Sequence, residues 1–167
     1  MPEKELIIKE KLEHSGLFVF TDLYAFLYRW LEEEGYGIVE KKYAEKVTGN
    51  KRDITVEWEA TKKFSDYYRG SLGIKIEATD LTDVEVEIDG QKKKMNKGKI
   101  SVEGKGMLII DPEGQWETSP FNRWMRDVYN KYIVPSRGES MKELVAGTLI
   151  TLKEEVKAFL ELTGKRK

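Results

Sequence analysis

The chain has 167 residues, 35% of them charged, with no cysteine and with 29 Lys+Arg set against 30 Asp+Glu for a net charge of -1. The missing cysteines exclude disulfides, thiolate metal sites and a cysteine nucleophile, and the near-neutral balance argues against a dedicated duplex-DNA binder, which is far more basic. A chain of this length removes about 70% of its unfolded surface from water, enough for one domain whose core needs no covalent staple.

The opening stretch, MPEKELIIKEKLEHSG, is charged from Glu3 onward and lacks the apolar centre of a signal peptide. Uninterrupted apolar runs such as residues 17–20 and 107–110 are four residues long, against the roughly 20 needed to span a bilayer. The expectation is a cytoplasmic protein without a membrane span, and the Lys- and Glu-rich, cysteine-free composition fits a thermostable one. Residues 5–13 (ELIIKEKLE) fit a strand or a short helix equally well.

The next segment reads as a helix. Thr21 or Asp22 can cap it, and Leu23, Phe26, Leu27, Trp30 and Leu31 fall at i, i+3, i+4, i+7 and i+8. Gly35 supplies a residue able to adopt the left-handed conformation at its end. Tyr24 and Tyr28 widen the apolar arc, which predicts neighbours on two sides.

From residue 36 to 110 the period changes from 3.6 to 2. Ile54, Val56 and Trp58 alternate with Thr55 and Glu57; Tyr68, Leu72, Ile74 and Ile76 with Arg69, Lys75 and Glu77; Val84, Val86 and Ile88 with Glu85 and Glu87. The segments TGNKRD, ATDLTD, IDGQ and NKGK between and beside these runs are rich in turn formers. Such a series predicts an antiparallel meander with one face on a core, ended by DPEG at 111–114.

Ser119 and Pro120 open a second helix, with Phe121, Trp124, Met125, Val128, Tyr129, Tyr132 and Ile133 as its stripe and Pro135 as its end. A last helix from about Ser140 to Leu162 carries Val145, Leu149, Leu152, Val156 and Phe159 at spacings of 4, 3, 4 and 3, a coiled-coil-like seam. GKRK (164–167) reads as a basic tail. The expected architecture is a single α+β domain over 1–167: an N-terminal segment and helix (1–35), an antiparallel meander of about five to six strands (36–116), and two C-terminal helices (117–163), all helices packed on one face.

The lysine-rich stretch EVEIDGQKKKMNKGK (85–99) invites a nucleic-acid or membrane reading. Asp89 and Gly90 are, however, a strong two-residue hairpin signal. A turn there sets Ile88 against Gln91, Glu87 against Lys92, Val86 against Lys93 and Glu85 against Lys94, so two of the three consecutive lysines meet glutamates. Over 83–103, Asp83, Glu85, Glu87, Asp89 and Glu103 balance Lys92, Lys93, Lys94, Lys97 and Lys99. The run reads as a solvated, self-paired face. Lys93 alone fits poorly, pointing with the valines, as an inward charge at an edge does.

Chemistry is sparse. His14, the single histidine, stands in EHSG with no triad-like context. One histidine without cysteine and with scattered carboxylates matches no metal-ligand spacing. GNK (49–51), GKG (104–106) and GES (138–140) lack the phosphate-loop arrangement, and Gly104 and Gly106 within a strand suggest a bulge. KKFSDYYRG (62–70) mixes aromatics and cations as single-strand binders do; Tyr68 belongs to the core phase, leaving Tyr67 and Arg69 outward. Arg123, Arg126, Asp127 and Asn130 can pair locally along the second helix. No catalytic residue, metal or cofactor is assigned.

VEWEATKKFSDYYRG (56–70) and ETSPFNRWMRDVYNKYIVPSR (117–137) resemble an uncharacterised family of small archaeal proteins; the resemblance implies a cytoplasmic archaeal setting and no activity. The element order resembles the helix-grip fold of START-like and plant-allergen-like proteins, which implies a pocket for a hydrophobic ligand between a curved sheet and a long C-terminal helix. Three readings of function follow. The leading one is a non-enzymatic protein-interaction or assembly module, a homo-oligomer or the partner of another protein, with Val145, Leu149, Leu152, Val156 and Phe159 as its interface. The second is a helix-grip-like carrier of an apolar small molecule lined by Trp58, Tyr68, Trp124, Tyr129 and Phe159. Single-stranded nucleic-acid binding is the third, and an enzyme of unrecognised type is what remains.

Overall fold

Alternating and helical periodicities resolve into β1 (Glu3–Phe18), α1 (Phe20–Glu33), β2 (Gly37–Thr48), β3 (Lys51–Lys63), β4 (Tyr68–Ile88), β5 (Gln91–Ile110) and α2 (Val134–Lys165). The computed structural model describes residues 3–65, 67–110 and 134–165. The strands form one antiparallel sheet of order β1-β5-β4-β3-β2. Thus β2 to β5 are a meander, and β1, the segment whose pattern fitted strand or helix, closes on its far side against β5. The fold is α+β with a five-strand antiparallel sheet, as the period change implied.

The expected helix over residues 119–134, with Trp124 and Tyr129, lies outside the described residues. The last helix differs from expectation in its start. It begins at Val134, not near Ser140, and Pro135 sits in its first turn, where a missing N–H loses no helical hydrogen bond. It also continues through Lys165, two residues into the expected tail.

Helix α1 ends in a Schellman motif. Gly35 has φ +91°, and the N–H groups of Tyr36 and Gly35 donate to the carbonyls of Leu31 and Glu32 at 3.0 Å each. Lys62 Nζ adds a hydrogen bond to the Glu34 carbonyl at 2.8 Å. The helix buries Phe20, Leu23, Leu27 and Leu31 and stacks Phe26 on Phe159 of α2, centroids 4.7 Å apart. Its broad apolar arc does have two neighbours, the sheet and the second helix.

Both helices share one core with one sheet face. Ile54, Val56, Trp58 and Ala60 of β3, Leu72, Ile74, Ile76 and Ala78 of β4, and Ile100 and Val102 of β5 pack with Val145, Leu149, Leu152, Val156 and Leu160 of α2. The close seating of α2 depends on glycines. A Cβ on Gly106 would stand 2.7 Å from Val145 and 2.9 Å from Ile8, one on Gly70 would stand 2.7 Å from Phe64 and 3.3 Å from Val145, and one on Gly104 would collide with Leu149. The bulge suggested by Gly104 and Gly106 is instead on β1, between Leu6 and Ile8; the glycines are there to let the helix approach. Lys142–Glu5 (3.1 Å) and Lys153–Glu10 (2.9 Å) pin α2 along β1.

The signals read as turns at ATDLTD and NKGK mark a shared bend. Strands β4 and β5 run straight through them as pairs, with one extra β4 residue between Thr79 and Thr82. Asp80 takes φ 54°, its N–H donates to Asp53 Oδ1 at 2.9 Å, and a Cβ on Gly98 would stand 2.9 Å from the carbonyl oxygens of Thr79 and Asp80. Bulges of this kind bend a strand and raise its twist.

Replacing Gly104 by Ala is expected to lower the unfolding free energy by about 1–3 kcal/mol through overpacking against Leu149. Gly73→Ala, where a Cβ meets nothing within 4 Å, is expected to change it by less than about 0.5 kcal/mol. Urea denaturation midpoints of the two variants check the contrast.

Candidate functional site

The register of the β4–β5 hairpin is that implied by Asp89 and Gly90: Ile88 opposes Gln91, Glu87 Lys92, Val86 Lys93 and Glu85 Lys94. Asp89 (φ 53°) and Gly90 (φ 77°) both take the left-handed conformation that the tight two-residue turn requires. Glu85, Glu87, Lys92 and Lys94 are exposed, whereas Val84, Val86 and Ile88 are half-buried and Met95 is buried. The hairpin therefore has a charged face and an apolar face, and Lys93 belongs with the apolar one.

Its base is tied to α1 by a chain of polar contacts. Strand β1 ends at Phe18, and Val19 leaves it extended (φ -117°, ψ 110°) as the helix N-cap, with no side-chain cap of its own. Neither Thr21 nor Asp22 caps the helix, as the sequence had suggested; the Phe20 N–H donates instead to Asn96 Oδ1 of β5 at 2.9 Å. Asn96 Nδ2 donates to Asp83 Oδ1 at 2.8 Å, and Asp83 accepts from Arg52 Nη2 at 2.7 Å. Arg52 Nη1 reaches Glu45 of β2 at 3.5 Å. One relay of side chains thus connects the four strands β2 to β5 with the start of α1.

Past Phe18, paired with Asn96, β5 has no β1 beside it. An open groove of about 460 Å³ lies at that place, lined by Val19, Asp22, Ile88, Lys93, Lys94, Met95, Phe159 and Leu162. Five of the eight are apolar, and Leu162 is 59% exposed. The volume is that of an ordinary small-molecule site, roughly 300–1,000 Å³. By contrast, the space between the sheet and the middle of α2, among Leu12, Ile74, Val102, Leu149, Leu152 and Val156, is about 20 Å³, room for about one water.

The residues singled out from the sequence are dispersed. Val145, Leu149, Leu152 and Val156 are buried in the core under α2. Phe159 leaves that row to stack on Phe26 and line the groove. Trp58 is buried, its Nε1 donating to Glu40 Oε1 at 3.2 Å, with the rings of Tyr24 and Tyr28 edge-on to it. Tyr68 lies in a separate small cluster with Tyr67 and Leu108. Tyr67, expected to face outward, is buried there, because it precedes β4 and does not share the strand's alternation. Of the proposed pocket residues among those described, Trp58, Tyr68 and Phe159, only Phe159 borders the groove. The groove residues missed from the sequence, Val19, Ile88, Met95 and Leu162, come from three separate segments, and only Lys93, out of phase with its neighbours, signalled the place.

His14 sits beside Phe18, edge to face with centroids 6.1 Å apart, and its Nε2 is buried without a hydrogen-bond partner. Among the described residues no hydrogen bond joins it to an acid or a hydroxyl. Among the described residues no group of three His, Cys, Asp or Glu side chains could hold a metal ion, and no helix is long and apolar enough to cross a membrane. Beside Trp58, Tyr24 OH donates to the same Glu40 Oε1 at 2.8 Å. Burial first, and then that bond to a carboxylate, push the Tyr24 phenol from its ordinary 10.0 up to about 12.

Compared with known proteins, the chain matches no family model and no curated protein.

Two measurements follow from this geometry. Asn96→Ala removes the acceptor at the start of α1 and is expected to cost about 1 kcal/mol of stability, the usual value of a helix cap, read by urea denaturation. In an ultraviolet absorbance titration one tyrosine is expected to ionise near 12, and Glu40→Gln to bring it toward the ordinary value. Because the folded pKa is the higher, folding stability falls as pH rises through that interval, and it falls less in the Glu40→Gln protein.

Proposed function

We propose that this protein is a non-enzymatic carrier that holds an apolar small molecule in the groove between the β4–β5 hairpin, the start of α1 and the end of α2. The observation that carries this reading is the groove itself, about 460 Å³ with Val19, Ile88, Met95, Phe159 and Leu162 in its lining. A half-exposed apolar concavity with a few polar groups is what a small-molecule site needs. The sheet order β1-β5-β4-β3-β2 with a 32-residue C-terminal helix across it is in keeping with the helix-grip resemblance. Within that likeness, the ligand would sit at the end of α2 and not beneath its middle, where the side chains interlock.

A protein-interaction or assembly module is the second reading. Its first basis, the seam on α2, is taken up by the core. It retains the support of β2, an edge strand whose Val39, Tyr43 and Val47 are each more than half exposed. Lys41, Lys42 and Lys46 and a register shift between Glu40 and Lys42 interrupt that edge, and charges and bulges at an edge oppose strand addition.

Calorimetric titration with dodecanol, below its solubility limit, tests the carrier reading. Binding at one site is expected, and Leu162→Asp, which puts a carboxylate into the groove at an exposed position, is expected to weaken it about tenfold or more. No heat of binding, together with a native mass at twice 19.4 kDa or more, would favour assembly instead.

A further inference from the structure

We infer that the molecule held in this groove is an amphiphile with an anionic head, and that Lys93 is the residue that reads the head. The inference rests on the carrier reading and adds to it the chemical class of the ligand. Three consecutive lysines, Lys92, Lys93 and Lys94, follow the hairpin turn, and their register separates them. Lys92 opposes Glu87 and Lys94 opposes Glu85, each an acid on the charged face, whereas Lys93 opposes Val86. Lys93 is thus the cation with no acid across from it.

Lys93 is also exposed and contributes to the groove lining beside Met95 and Ile88; none of the three lysines forms an ion pair among the described residues, so the register is what sets Lys93 apart. Its four-carbon stem can lie along the apolar face while the ammonium stays in water at the rim, where an anionic group can meet it. Lys94 lines the same groove, and Asp22 is the single carboxylate among its described lining residues. Asp22 lies in the first turn of α1, where the positive end of the helix dipole already offsets its charge. The lining therefore carries an excess of positive charge at one side of an apolar floor made by Met95, Phe159 and Leu162. An alkyl chain lying on that floor with a carboxylate or phosphate toward Lys93 satisfies both halves. A neutral alcohol of equal length satisfies the floor only, and an alkylammonium meets like charge.

The test compares laurate and dodecylammonium below their micellar concentrations with dodecanol below its solubility limit, by calorimetric titration of the intact chain. Laurate is expected to bind roughly fivefold more tightly than dodecanol, the most that one solvent-facing ion pair provides, with the difference shrinking as salt is raised. Lys93→Gln is expected to abolish the preference, so that laurate and dodecanol bind the variant equally. Lys92→Gln, on the charged face, is expected to leave the preference intact. Equal binding of laurate and dodecanol to the native chain, or a laurate preference that survives Lys93→Gln, would overturn the assignment to Lys93 while leaving the groove as an apolar site. Absence of binding by all three amphiphiles would overturn the carrier reading and this inference with it.

Discussion

The seating of α2 on the sheet is the constraint from which the rest of the molecule follows. A helix can lie close to a strand only where the strand presents no Cβ toward it, and Gly70, Gly104 and Gly106 present none beneath Val145 and Leu149. Close approach seats the helix against β1, β4 and β5 and buries Val145, Leu149, Leu152, Val156 and Leu160 in the common core, and dense packing of this kind resists any added volume. It also explains why the space under the middle of the helix is so small. A larger open space lies instead beside the end of the helix, at Phe159 and Leu162.

A second device decides what the helix end meets there. The extra residue at Thr79–Thr82, with Gly98 packed against its carbonyls, bends the paired strands β4 and β5. Beyond the bend the hairpin outlasts β1, and Asn96 holds the first N–H of α1. The relay from Arg52 through Asp83 to Asn96 is composed of groups that satisfy one another at 2.7 to 2.9 Å. A helix start, a strand end and a hairpin base are thereby fixed together. The groove is the space left between elements held by two different means, apolar packing on the α2 side and hydrogen bonding on the α1 side.

Polar groups near the core follow the same economy. Trp58 Nε1 and Tyr24 OH converge on one oxygen of Glu40, a residue of the edge strand. Indole and phenol groups packed against a core find acceptors, and an exposed carboxylate at the sheet margin supplies one oxygen to both. The raised pKa of the Tyr24 phenol follows from its burial first and from that carboxylate second and requires no chemical role. His14 shows the opposite case, a ring packed for its shape against Phe18 with one nitrogen left without a partner.

Periodicity alone carried the class of the fold: the arc of Leu23, Leu27 and Leu31, the alternation of Ile54, Val56 and Trp58, and the pairing of residues 85–94 about Asp89 and Gly90 are local patterns, and local geometry is enough to set them. Gly35 was legible as a helix end for the same reason. What the sequence could not settle depends on partners distant along the chain. Whether ELIIKEKLE is a strand is decided by β5, some ninety residues away by its Leu12–Val102 pairing. Whether Gly104 marks a bulge or a helix seat is decided by Leu149, whether ATDLTD turns or bends is decided by Gly98, and the cap of α1 is supplied by Asn96. The seam on α2 had the spacing of an interface and of a core helix alike, since spacing records which residues share a face and not what covers it. Only the tertiary structure assigned that face to the sheet, and left Lys93 among apolar neighbours at the rim of the groove.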